Sequence, residues 1–247
     1  MELKDRVAVI TGAASGFGEA IARRFAALGA KVVVADINGD KARQVAASIG
    51  QSAIGVKVDV TSSQEIEATI GRATAQFGVP DVVINNAGYT HRTCSVLDVD
   101  EASFDRVFDV NVKSIFHMVR AVVPLMRDNG GGVMLNIGST AGIRPRPGTT
   151  WYNASKGATN LASKALAIEL APWKIRVNAI CPVIGATAML EQFLGAPDTP
   201  DNRKKFIDTI PMGRLSEPSD VAEAAVYLAT ADFITGVLLP VDGGRTI

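Results

Sequence analysis

The sequence predicts an α/β fold built on an open, doubly wound parallel sheet, and three observations carry that expectation. Short apolar runs rich in β-branched residues alternate with helix-length amphipathic segments along the whole chain. A glycine-rich turn separates the first such run from the first helix. Small and polar residues gather just past the carboxyl end of run after run, which in a parallel sheet is the edge that binds ligands.

Arg6–Ile10 reads as the first strand. Thr11-Gly12-Ala13-Ala14-Ser15-Gly16-Phe17-Gly18 follows it and opens a helix running to about Leu28. Glycines there let the backbone approach a pyrophosphate closely, and the helix N-terminus offers unpaired N–H groups and a positive dipole end. A generic turn and cap is the plainer alternative, because Gly-x-x-x-Gly-x-Gly departs from the Gly-x-Gly-x-x-Gly fingerprint. Lys31–Ala35 is the second strand and ends at Asp36. An acidic residue at this place accepts hydrogen bonds from an adenosine ribose and repels a 2′-phosphate, so NAD is favoured over NADP. Ile37 stands where a phosphate-reading arginine would sit, and the alternative is that Asp36 caps the helix beginning near Asp40.

The third strand, Ala53–Val58, ends in Asp59-Val60, and Ser62 or Ser63 caps a helix over about 64–77. Asp81–Ile84 is the fourth strand, followed by Asn85-Asn86-Ala87-Gly88. A helix spans about 112–127 with Asn111 at its start, where an N-cap is the structural reading. Val133–Ile137 is the fifth strand, with Ser139 past its end. The loop Gly142–Gly148 then leads into a helix that carries Tyr152 and Lys156 and continues to about Leu170. Spacing of four stacks this phenol and ammonium on one helix face, and a nearby positive charge favours the phenolate. The same spacing also describes an ordinary exposed helix.

Ile175–Ile180 is the sixth strand. From Cys181 to Pro218 the pattern loosens, and about 183–217 reads as a lid whose apolar surface comes from Met189, Leu190, Phe193, Leu194, Phe206 and Met212. A helix over Ser219–Thr230 and a strand near Val237–Val241 lead to Asp242-Gly243-Gly244. No repeat, linker or low-complexity tract interrupts the chain, so one domain over 1–247 is expected.

Composition narrows the partners. Lys+Arg and Asp+Glu are equal at 25 each, which gives no global field toward nucleic acid or an anionic membrane. A small-molecule substrate is expected. The N-terminal residues carry no signal-peptide pattern, no apolar run reaches membrane-spanning length, and Cys94 and Cys181 lie far apart, so a cytoplasmic location is expected. With His91 and His117 as the only histidines and no ligand-spaced Cys or His pair, no metal site is expected.

Taken jointly and in order, the Thr11–Gly18 loop, Asn85–Gly88, Asn111, Ser139, Tyr152-x-x-x-Lys156 and Asp242-Gly243-Gly244 make the chain resemble the short-chain dehydrogenase/reductase family from first strand to last. The resemblance implies a single Rossmann-type domain with a seven-stranded parallel sheet of order 3-2-1-4-5-6-7 and helices on both faces. It implies catalytic roles for four residues. Tyr152 is the acid/base, Lys156 lowers its pKa and binds the nicotinamide ribose, Ser139 positions the substrate oxygen, and Asn111 holds a water in a proton relay. It places NAD against Gly12, Ser15, Gly16, Phe17, Gly18, Asp36 and Ile37. Asp59 and Val60 flank the adenine, Asn86, Ala87 and Gly88 line the adenosine side, and Tyr152, Lys156, Pro182, Val183 and Thr187 surround the nicotinamide end. One departure is Val183, where the family commonly has glycine; a β-branched residue restricts the backbone there. Cys181 reads as a small buried apolar residue rather than a reactive thiol.

The implied activity is NAD-dependent interconversion of a secondary alcohol and a ketone. A 3-oxoacyl-thioester (acyl-carrier-protein) reductase is the alternative, and a non-catalytic nucleotide-binding protein a remote one. The family's usual homotetramer, formed through the helices near Asn111 and Thr150, is expected. Ser139–Gly142, Arg144, Arg146, Trp151, His91 and the lid are the candidate substrate pocket. Arg144 and Arg146 are either grips for an oxyanion or solvated loop charges. A chain ending three residues past Gly244 leaves no long C-terminal tail to shape that pocket.

Overall fold

The computed structural model describes residues 2–187 and 189–247. Met1, where the N-terminal reading begins, and Ala188, inside the expected lid, lie outside the described residues. Seven strands, β1 Val7–Thr11, β2 Lys31–Asp36, β3 Ala53–Lys57, β4 Val82–Asn85, β5 Gly132–Ile137, β6 Ile175–Pro182 and β7 Leu238–Val241, form one sheet. Their order is β3-β2-β1-β4-β5-β6-β7, and every neighbouring pair is parallel.

Because successive strand side chains alternate between faces, a sheet covered on both sides needs apolar residues at nearly every position. Ala8, Ile10, Val32, Val34 and Ile84 face one core. It is closed by helices α1 Gly16–Ala27, α2 Gly39–Ile49 and, later in the chain, Pro218–Thr230, through residues such as Phe25, Val45 and Leu228. Val9, Val33, Val83, Met134 and Val177 face the other. There α3 Ser63–Phe77 contributes Ile66 and Ile70, the helix Ser114–Asp128 contributes Met118, Val122 and Met126, and the helix Thr150–Leu170 contributes Ala167 and Leu170.

The strand and helix positions agree with the sequence to within a residue or two, with three differences. A helix that sequence reading missed, α4 Glu101–Phe108, precedes α5 Ser114–Asp128, and the two are joined by a π-helical turn over Asp109–Lys113. Asn111 therefore lies inside a helical turn and caps nothing; its amide is taken up by Tyr89, whose N–H donates to Oδ1 at 2.9 Å and whose carbonyl accepts from Nδ2 at 2.8 Å. Asp36 caps nothing either. The N-cap of α2 is Asn38, whose side chain accepts from the Lys41 N–H at 3.1 Å. For α3 the cap is Ser62, which accepts from the Glu65 N–H.

The helix α6 Thr150–Leu170 is fixed to the sheet by a buried polar chain. Asn85 donates to Asn136 at 2.8 Å, Asn136 to the Ser163 hydroxyl at 2.9 Å, and Ser163 to the Thr159 carbonyl at 2.7 Å. Such a chain fixes the register of helix on strand because any slip leaves a buried polar group unpaired. The loose stretch after β6 carries two short helices, α7 Leu190–Leu194 and α8 Pro200–Ile207, before α9 Pro218–Thr230. It has its own small core of Val183, Leu190, Ile210 and Leu215. Among the described residues no helix is long and apolar enough to cross a membrane.

Candidate active site

The loops past β1, β2, β3, β4, β5 and β6 open onto one cleft of about 410 Å³, with the lid on its far wall. At one end lies the glycine loop. Gly12 and Gly16 hold φ of 62° and 58°, in the left-handed region that favours glycine. A side chain at Gly12 would stand 2.8 Å from the Ala87 Cα, and one at Gly18 would collide with the Asn86 amide. That closeness is used: the Asn86 Nδ2 donates to the carbonyls of Thr11 and Gly12, each at 2.9 Å. The Asn86 and Ala87 N–H groups in turn donate to the Thr11 hydroxyl, each at 3.1 Å. The ends of β1 and β4 are thereby locked together, and bare backbone at the start of α1 faces the cleft.

Asp36 closes the loop from the side, accepting from the Ala14 N–H at 3.0 Å and the Asn38 N–H at 2.8 Å. Ile37 beside it is 61% exposed. Of the residues assigned by sequence to the cofactor, all line the cleft except Gly18, which supports the loop from behind. A cradle that side chains would fill, together with an acid at the end of β2, fits a dinucleotide. Among the described residues no group of three metal-ligating side chains converges.

At the other end stand Ser139, Tyr152 and Lys156, all buried. The Lys156 ammonium donates to the Ile137 carbonyl at 2.7 Å, which ties α6 to the carboxyl end of β5. Burial lowers its pKa to about 8. Burial also pushes the Tyr152 phenol up to about 12, while Ser139 and the Arg146 guanidinium act in the opposite sense. The Lys156 Nζ lies 5.9 Å from the ring centroid, and at the phenol desolvation outweighs the nearby charges. Behind Lys156, Asn111 donates to the Ser155 hydroxyl at 3.0 Å and its carbonyl accepts from Thr159 at 3.0 Å.

A family model described as enoyl-(acyl carrier protein) reductase matches residues 12–246. The chain belongs to the short-chain dehydrogenase/reductase family. It is similar to 4-formylbenzenesulfonate dehydrogenase of Comamonas testosteroni, with 46% identity over 100% of both chains. It is also similar to 7alpha-hydroxysteroid dehydrogenase of Escherichia coli, at 38% identity over 99% of this chain and 95% of that one. The crystal structure of 3-ketoacyl-(acyl-carrier-protein) reductase from Brucella melitensis complexed with NADH superposes with a TM-score of 0.94. That chain is 47% identical, with 99% of this chain and 100% of that one covered. The protein is accordingly an oxidoreductase of this family.

The substrate side of the cleft differs from its sequence-based outline. His91 is buried outside the cleft and Trp151 packs edge-on against Phe104, at 5.1 Å between ring centroids. Arg144, Arg146, Met189, Phe193 and Phe206 do line it. Arg245 and Thr246 line it as well, which sequence reasoning missed because it sought a long tail rather than a folded-back short one. Asp242 folds these residues back by accepting from the Gly244 N–H at 2.9 Å and from the Thr246 N–H and hydroxyl at 2.8 and 2.7 Å. Val183 keeps extended pairing beyond the sheet, its N–H donating to the Val241 carbonyl at 3.1 Å, and its side chain enters the lid core. Cys181 is buried with its thiol pushed up to about 11 by burial, which makes it an inert packing residue.

Lys156 titrates near 8 when folded and at its ordinary 10.5 when unfolded, so between those values the unfolded chain binds more protons. Stability from this group therefore rises with pH across that window, by up to about 1.4 kcal/mol per pH unit. Lys156→Met should remove that rise, read as the difference between the two proteins' denaturant-unfolding free energies over the window; parallel curves would refute it.

Proposed function

We propose that the protein is an NAD(H)-dependent dehydrogenase that interconverts a secondary alcohol and a ketone. The observation that carries this reading is the placement of Ser139, Tyr152 and Lys156 on one wall of a cleft whose opposite end is a glycine cradle with Asp36 beside it. When bound, the nicotinamide ring takes or returns the hydride. The backbone of Gly12, Ser15 and Gly16 would face the pyrophosphate, Asp36 would accept from the adenosine ribose, Asp59 and Val60 would flank the adenine, and Asn86 to Gly88 would line the adenosine side. Pro182, Val183 and Thr187 hold the carboxamide end. Asp36, with the exposed Ile37 beside it, disfavours a 2′-phosphate, so NADP is the poorer cofactor.

In alcohol oxidation the Tyr152 oxygen takes the substrate hydroxyl proton, and Ser139 holds the same substrate oxygen by a hydrogen bond. A phenol near 12 is a poor base until positive charge gathers at it. Lys156 and the oxidised cofactor would bring that charge; the Ile137 carbonyl holds the ammonium in place, and the proton would leave past Lys156 to a water held by the Asn111 segment behind it. Reduction runs these steps backward. The related dehydrogenases support an alcohol or carbonyl substrate. Reduction of a 3-oxoacyl thioester is the second reading, supported by the Brucella melitensis structure, a complex with NADH.

The protein is expected to be a homotetramer. Phe116 on α5 and Leu161 and Ile168 on α6 are 56%, 69% and 80% exposed, the apolar faces expected at such an interface. Sedimentation should show four copies, and a monomer would refute this. Tyr152→Phe should keep NADH binding, seen as cofactor fluorescence, while turnover falls by at least about 1,000-fold. An NAD-reduction screen over secondary alcohols and hydroxyacyl thioesters tests the activity. Retained turnover in the variant, or a strong preference for NADP in the parent, would overturn the assignment.

A further inference from the structure

The two ends of the cleft are charged oppositely. The only carboxylates among its lining residues are Asp36 and Asp59, both at the glycine-loop end, whereas Arg144, Arg146 and Arg245 line the lid side. The ion pairs of the lid segment lie elsewhere, Arg203 with Asp198, Lys204 with Asp208 and Arg214 with Asp220. Among the described residues none of Arg144, Arg146 and Arg245, nor Arg106, which also lines the cleft and lies over the Tyr89 ring, has a carboxylate partner. Arg144 donates to the Arg245 carbonyl at 2.7 Å, so it braces the folded-back tail.

Arg146 is the unusual member. Its guanidinium lies over the rings of Phe193 and Phe206, at 5.3 and 5.0 Å from their centroids. Among the described residues one of its five donors is used, from Nη1 to the Phe193 carbonyl at 3.1 Å, and Nη2 is buried without a partner. Burial lowers its pKa, and the like charge of Arg245 adds to that. A partly buried cation with a buried, unpartnered donor and a second cation nearby is costly, and an oxyanion relieves both costs. The position is rigid. The Asn153 amide donates to the Arg146 carbonyl at 2.7 Å, and Asn153 directly follows Tyr152 on α6. The ring of Phe193 also meets the Tyr152 ring edge-on at 5.1 Å, so one aromatic ring bridges guanidinium and phenol.

We propose that the substrate carries an oxyanion, a carboxylate or sulfonate, on a compact apolar body, and that Arg146 binds it through its free donors with Arg245 as a second charge. This rests on the alcohol–ketone reading above. The cleft then fixes both ends of the molecule. The oxyanion is anchored at the lid, the apolar body lies against Phe193 and Phe206, and the reacting oxygen reaches Ser139 and Tyr152. Arg146 is thus a specificity-determining residue, whose planar fork suits two parallel hydrogen bonds to one oxyanion.

The test compares three secondary benzylic alcohols, hydroxyethylbenzoate, hydroxyethylbenzenesulfonate and the uncharged methyl hydroxyethylbenzoate, with NAD as oxidant. Both anions should exceed the ester in kcat/KM by roughly 10- to 100-fold, mostly through KM. Arg146→Gln should bring that ratio close to unity, and Arg146→Lys should keep part of it by retaining charge without the fork. Calorimetry on the NADH-loaded protein with unreactive benzoate and benzenesulfonate gives a readout independent of turnover, and Arg146→Gln should weaken both by a similar factor. Alcohol turnover with no preference for the anions, or a preference and an affinity that Arg146→Gln leaves unchanged, would overturn the oxyanion site and leave the alcohol–ketone reading intact. Arg146-dependent binding of the anions without turnover of any of the three alcohols would uphold the site and overturn that reading.

Discussion

The hydrogen bond from the Lys156 ammonium to the Ile137 carbonyl is the contact on which the site depends. A buried ammonium needs a partner, and the last residue of β5 supplies one that cannot move without disturbing the sheet. This bond and the Asn85–Asn136–Ser163 chain hold α6 at one height against β4 and β5. Tyr152 lies one turn before Lys156, so its position against Ser139 follows from the same restraint. The cost is visible in the pKa values: burial that fixes the pair drives the ammonium down to about 8 and the phenol up to about 12. The phenol is thereby held neutral until further positive charge enters the cleft, while the ammonium keeps its charge at neutral pH.

Charge along the cleft completes this arrangement. Asp36 and Asp59 stand where β2 and β3 end, Lys156 lies in the middle, and Arg144, Arg146 and Arg245 line the lid side. Strand order produces that layout, because β2 and β3 lie on one side of β1 while β4, β5 and β6 lie on the other. The crevice opens where the order reverses between β1 and β4. There the Thr11–Asn86 bonds join the two halves and make the glycine loop rigid enough to present bare backbone.

Much of this was legible in the sequence because it is local. Strand runs buried on both faces read as unbroken apolar segments, and helical spacing puts Tyr152 and Lys156 on one face, which the motifs around them single out from an ordinary exposed helix. Asn111 was legible as a functional position only through resemblance; its helical turn misled because an asparagine before a helix ordinarily caps it, and here the amide is claimed by Tyr89, twenty-two residues away. The helix Glu101–Phe108 did carry a signal, Asp100 accepting from the Ser103 N–H at 2.7 Å, but it is short and half polar. The substrate side was least legible. Whether Arg146 is a solvated charge or a buried one depends on Phe193 and Phe206, which lie some fifty residues on, and Arg245 enters only because Asp242 folds the chain back. The raised phenol pKa is likewise a property of burial, which no spacing encodes.

The central claim is that Tyr152 is held neutral by burial and becomes a base when positive charge arrives in the cleft. Ultraviolet titration of phenolate, taken as the difference between the parent protein and Tyr152→Phe, measures this with and without saturating NAD. The account predicts that Tyr152 stays protonated beyond the ordinary phenol value of 10 in the free protein and ionises at distinctly lower pH once NAD is bound. A phenol that titrates at its ordinary value in the free protein, or that does not move when NAD binds, would contradict it.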